Sequence, residues 1–193
     1  MDPETAAAAA RLESALARHG VPAEFDRFSG PELTALDITP ALSPELVSFY
    51  ETRAPRNCEL EFSPEQLRLY SPDELDERQR GYRAGDWQDP WLAIGDSSAD
   101  PVIANTAEEG TPIALAIHGI GEWRARWVAP TLATFLGALS DWVVVLYGQF
   151  GGEMLDEDLD FDVKPGFVDA IRSVLAESLP EECVTAWIDY VTT

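Results

Sequence analysis

The chain has 193 residues, 46% of them apolar and six of them tryptophan, which is enough for a packed core and excludes global disorder. Its length suits one domain, residues 1–193, with room for terminal extensions. A formal charge of −22, from 35 acidic and 13 basic residues, disfavours direct nucleic-acid binding and favours a basic partner. The simpler reading is that acidity only keeps the protein dissolved.

Asp2 and Glu4 stand where an export signal would carry basic residues. The longest apolar run, Trp142–Tyr147, is strand-length and far short of a membrane span. These features predict a cytoplasmic protein without membrane contact. Cys58 and Cys183 are far apart in sequence, and the expectation is two buried free thiols.

Residues 4–19 are alanine-rich, place Leu12 and Leu16 on one face, and stop at Gly20 and Pro22, which predicts a helix. Pro40–Arg53 predicts the next helix, with Ser43 as N-cap and Pro44 in its first turn. Cys58–Phe62 alternates apolar and acidic residues and predicts a strand. Ser63-Pro-Glu65 predicts a helical turn leading to Leu67, Leu69 and Tyr70, and Asp73–Arg80 a further helix. Apolar runs at Trp91–Ile94, Pro101–Asn105, Pro112–His118 and Glu122–Trp127 are separated by turn residues. Their spacing predicts an antiparallel meander. Pro130–Leu139 has helical spacing. Asp141–Tyr147 fits either a strand or a buried continuation of that helix. An acidic loop spans Gly148–Asp162, and helices are expected over Lys164–Leu179 and from Pro180 onward. The fold class is therefore α+β, a mostly antiparallel sheet with helices packed against it.

Several segments carry a family likeness. They are Leu67-Arg-Leu-Tyr-Ser-Pro-Asp-Glu-Leu75 leading to Gln79-Arg-Gly-Tyr82, Trp91-Leu-Ala-Ile-Gly95, Asp100-Pro-Val-Ile103, Trp123, and Phe135-Leu136. In this order they resemble the SUKH superfamily over roughly residues 40–140. That superfamily joins bacterial immunity proteins to fungal cell-wall synthesis regulators. Ser97-Ser-Ala99 departs from it, because many relatives carry glycines before the aspartate. The resemblance implies a non-enzymatic protein that neutralises a cognate toxin by covering its active site. Residues 1–39 and 141–193 lie outside it, as an N-terminal helical and an acidic C-terminal helical extension. The alternatives are a regulatory or scaffolding module without a toxin partner, and an enzyme.

Reactive constellations are sparse. His118-Gly-Ile-Gly121 could form an oxyanion loop, but the chain has no Gly-x-Ser-x-Gly nucleophile elbow. His19 and His118 show no partner for general-base work and no metal-ligand spacing. A calcium loop starting at Asp156 would need Gly at its sixth position and Glu at its twelfth, and it has Phe161 and Phe167. Asp96 and Asp100 could pair only if the fold set them across a cleft. No catalytic residue, metal or cofactor is expected. The partner should be a basic toxin, nuclease-like or nucleobase-modifying, whose phosphate-binding cleft accepts carboxylates. Two acidic sets are candidates for the contact. One is Asp86, Asp89, Asp96 and Asp100 on the turns of the sheet. The other is Asp156, Glu157, Asp158 and Asp160, with Glu153 and Asp162, in the acidic loop. Trp87 and Trp127 have polar or basic neighbours and are candidate interface anchors, whereas Trp91, Trp123 and Trp142 lie in strand patterns and are assigned to the core.

Overall fold

Short apolar segments bounded by turns and helices form one seven-stranded sheet, whose strands follow one another in space in chain order. The computed structural model describes residues 2–61, 66–118, 121–156 and 162–192. The strands are β1 (Ala23–Asp26), β2 (Ala54–Glu61), β3 (Gln66–Leu69), β4 (Trp91–Ser97), β5 (Asp100–Asn105), β6 (Ile113–Leu115) and β7 (Arg126–Ala129), and every neighbouring pair is antiparallel. The expected meander is present, and it continues three strands upstream.

Differences from the sequence expectation have local causes. Leu67 and Leu69 lie on β3, not in a helical turn, and both are buried. Their two-residue spacing is the strand period, and pairing with β4 satisfies it (Leu67↔Ser97, Leu69↔Gly95). The expected turn residues 63–65 and Phe62 lie outside the described residues. The last strand starts at Arg126, not Glu122. Residues 121–125 cross the sheet instead: Asp86 takes the Trp123 backbone N–H that a ladder would have used, and the Ala84 carbonyl accepts its indole N–H.

Among the described residues, seven helices complete the fold: α1 (Pro3–His19), α2 (Gly30–Ala35), α3 (Pro44–Arg53), α4 (Leu75–Gln79, entered by a 3-10 turn at Pro72–Glu74), α5 (Leu132–Gln149), α6 (Phe167–Leu175) and α7 (Glu181–Val191). Asp2, Ser43 and Thr131 cap α1, α3 and α5 with side-chain oxygens on the backbone N–H three residues on. Asp141–Tyr147 is helical and belongs to α5. Burial of Trp142, Val143, Val145 and Leu146 against α1, α3 and α6 overrides the β preference of valine. The joined helix is long and apolar enough to cross a membrane by length and composition, yet more than half of it is buried inside the fold. Within the expected acidic loop, Leu155–Asp156 and Asp162–Val163 form a two-stranded ladder, β8 and β9.

The helices bury one side of the sheet, where Leu92, Ile94, Val102, Ala104, Leu115 and Val128 join the main core. Trp91, Ile103, Ala114 and Ala116 form a second, smaller cluster, over which Trp87 and Trp123 pack. Ile94 and Ile103 are both buried, as expected, but in different clusters. Gly95 is required by close approach, because a Cβ there would lie 2.4 Å from the Arg68 carbonyl oxygen. Cys58 and Cys183 are buried free thiols, and burial pushes the Cys58 thiol up to about 12.

Candidate functional site

The second face of the sheet is covered by loop residues, Trp87, Trp123 and Ala125. Two irregular segments, residues 80–90 and 121–125, cross it and carry aromatic side chains onto it. Tyr82 stacks on Trp87 with ring centroids 5.7 Å apart and meets the edge of Trp123 at 5.6 Å. Trp87 then contacts Trp91 at 5.6 Å and Trp123 at 5.7 Å, and Trp91 contacts Trp127 at 6.5 Å. Backbone groups hold the rings in place. The Trp87 indole N–H donates to the Trp91 carbonyl at 3.2 Å, and that of Trp123 donates to the Ala84 carbonyl at 3.0 Å. The chain of rings emerges at Trp127, which is 39% exposed and is the one exposed tryptophan.

A cleft of about 570 Å³ opens beside these rings. Tyr70, Tyr82 and Trp123 form its aromatic wall, α4 contributes Glu77 and Arg78, and the 3-10 turn before it contributes Glu74. The β4–β5 turn and the segment after β6 contribute Asp96 and His118. The Tyr70 and Tyr82 hydroxyls are 3.2 Å apart. Burial, then hydrogen bonding to Tyr82 and Asp96, pushes the Tyr70 hydroxyl far above the usual tyrosine range, and burial raises Tyr82 as well. Arg78 lies over the Tyr70 ring, 5.2 Å from its centroid, and pairs with Glu74 at 3.2 Å.

His118 does have a partner, contrary to the sequence reading. Its Nδ1 is 2.5 Å from Asp100 Oδ1, which also accepts the His118 backbone N–H at 2.7 Å. Tyr190 of α7 donates to the other Asp100 oxygen at 3.4 Å. Asp100 therefore joins β5, the segment after β6 and the last helix. The orientation matches that of a general-base histidine, but the cleft lining contains no serine, threonine or cysteine to activate. Among the described residues, no group of three or more His, Cys, Asp or Glu could hold a metal ion.

The acidic residues singled out in the sequence divide by what they touch. Asp86 is exposed and accepts the Trp123 backbone N–H at 2.7 Å, so it fixes the crossing segment. Asp89 is exposed beside Trp87 in a second depression, with Arg83 and Thr39. Asp96 lines the cleft and accepts the Ala99 N–H at 3.1 Å, and Asp100 is engaged by His118 and Tyr190. Trp87 belongs to the ring cluster and is partly exposed, lining the second depression, and Trp127 is exposed as expected. Trp123, assigned to a core strand, is partly exposed and off the ladder. In the other set, Asp156 on β8 lies opposite Asp162 on β9, and Glu153 pairs with Lys164 at 3.2 Å. Glu157, Asp158 and Asp160 lie outside the described residues.

Glu74, Glu77, Arg78 and Tyr70 escaped the sequence reading as site residues. They come from α4, the 3-10 turn before it and the end of β3, and only the return of β4 beside β3 brings them to the β4–β5 turn. No family model, curated protein or solved structure matches the chain.

Proposed function

We propose that this is a non-enzymatic immunity protein of the SUKH type. It binds a basic toxin, nuclease-like or nucleobase-modifying, through the aromatic face of its sheet and the carboxylates around it. The observation that carries this reading is Trp127, an exposed indole seated on a packed aromatic chain. A rigid, half-supported tryptophan loses little side-chain entropy on association and buries a large apolar area, the profile of an interface anchor. The crossing segments beside it carry exposed Asp86, Asp89 and Glu122, which would steer a cationic partner.

The test is co-purification with the product of the adjacent gene, followed by assay of its toxicity with and without this protein. Trp127→Ala should speed dissociation about 30-fold, the effect of losing a central aromatic anchor. Asp89→Asn with Glu122→Gln should slow association several-fold and flatten its salt dependence. Association unchanged by either acidic set would assign the acidity to solubility. A partner bound but not neutralised would make the protein a regulatory module, and no partner at all would overturn the reading.

A further inference from the structure

The cleft beside Tyr70 is the head of a longer groove. A smaller depression follows it, lined by Ala84, Gly85, Gly121 and Trp123, and shares Trp123 with the cleft. The depression holding Trp87 and Asp89 then shares Ala84 and Gly85 with the smaller one. The three depressions neighbour one another along the crossing segments, and Tyr82, Trp123 and Trp87 are their aromatic lining. Glycine keeps the middle open. Gly85 and Gly121 have φ of +66° and +84°, and a Cβ built on Gly121 would meet nothing within 4 Å.

The charge along this groove is mixed but acidic. Glu74, Glu77, Asp96, Glu122 and Asp89 line the three depressions with Arg78 and Arg83, and Arg68 and Arg124 pair with Glu74 and Glu122. The groove already holds one guanidinium. Arg78 lies over the Tyr70 ring and against Glu74, a combined cation–π and ion-pair contact. A flat cation that stacks on one face and forks to a carboxylate suits this wall better than an ammonium.

We infer that the groove takes an extended, arginine-bearing segment of a partner polypeptide. Its guanidinium groups meet the rim carboxylates Glu77, Asp96 and Glu122, and its aliphatic stems lie over Tyr82, Trp123 and Trp87. The inference rests on the protein-binding reading above and names the partner chemistry that fits this face. A row of neighbouring depressions lined by aromatic and acidic side chains suits an extended segment, whose side chains project every second residue.

The probe is a fluorescein-labelled peptide of alternating leucine and arginine, with a leucine–lysine peptide as control, read by anisotropy on the full chain at physiological ionic strength. The arginine peptide should bind in the micromolar range and more tightly than the lysine peptide. Ala84→Arg places bulk and like charge at the exposed midpoint of the groove. It should weaken binding at least about tenfold, as should Glu77→Gln with Glu122→Gln, which leaves the groove's shape intact. Glu153→Gln, in the acidic set outside the groove lining, should leave binding unchanged. No binding, equal binding by Ala84→Arg and the parent, or an equal loss on neutralising Glu153 would each overturn the inference. The two readings separate experimentally. A toxin neutralised equally well by the Ala84→Arg protein sinks the groove and leaves the immunity function standing. Groove-dependent peptide binding without any neutralised toxin does the reverse.

Discussion

Gln79 shows how one side chain can replace a strand. Strand β3 ends at Leu69, while β4 continues back to Trp91. The Ala93 peptide groups would then be buried without partners, but the Gln79 amide takes both. It accepts the Ala93 N–H at 2.9 Å and donates to the Ala93 carbonyl at 2.8 Å. Gln79→Ala would strand two buried backbone groups and should lower stability by about 3 kcal/mol, measured by chemical denaturation. Loss of less than about 1 kcal/mol would mean that water replaces the amide. This contact was not legible in the sequence, because a glutamine in a short amphipathic helix reads as a surface residue. His118 is similar. Its partner Asp100 is 18 residues away, and only the pairing of β5 with β6 brings the two together.

At the scale of elements, α7 supplies what the edge of the sheet lacks. The register between β6 and β7 slips between Ile113↔Ala129 and Ala114↔Trp127, which leaves Val128 without an opposite residue. The Trp187 indole N–H donates to the Val128 carbonyl at 2.8 Å, and Arg126 pairs with Asp189 on the same helix at 2.7 Å. The acidic C-terminal extension is thereby a cover for the last strand. Trp187→Phe keeps most of the ring packing on Phe135 and Trp142 and removes only the donor. It should cost about 1–2 kcal/mol by thermal melting, and Trp187→Leu more. The helical stripe of Val184, Trp187, Ile188 and Val191 was readable from spacing alone. The surface that it covers was not, since it depends on where the seventh strand ends.

For the whole molecule, the titration of buried tyrosines sets an alkaline limit. Burial raises Tyr50, Tyr70 and Tyr190 above the ordinary tyrosine value of 10.0 in the folded chain. The unfolded chain loses these protons first, so it is the folded state that binds more protons above that pH. Stability is therefore unaffected by these groups below about pH 10 and falls as pH rises beyond it. Tyrosinate absorbance should appear together with loss of tertiary signal. Tyr50→Phe should make the decline shallower. Ionisation of more than two of the five tyrosines near pH 10 in a fully folded chain would refute the burial argument.

The division between what was readable and what was not follows the range of the interactions. Caps, glycine stops, alternation over β2, the apolar runs of β4 and β5, and the stripes of α1, α3 and α7 are decided within a few residues of chain. The sequence by itself therefore determined the α+β class, the antiparallel meander, the buried thiols and the strongly acidic surface. Tertiary structure alone decided whether Asp141–Tyr147 is strand or helix, because its apolar surround is built by α1, α3 and α6. It alone turned Trp123 from a strand residue into the floor of a groove, through Asp86 and Ala84, 37 and 39 residues away. It also joined Tyr70, Glu77, Asp96 and His118 around one cleft. Contacts between residues so distant in the chain leave no periodicity, and the pattern of a single sequence carries no trace of them.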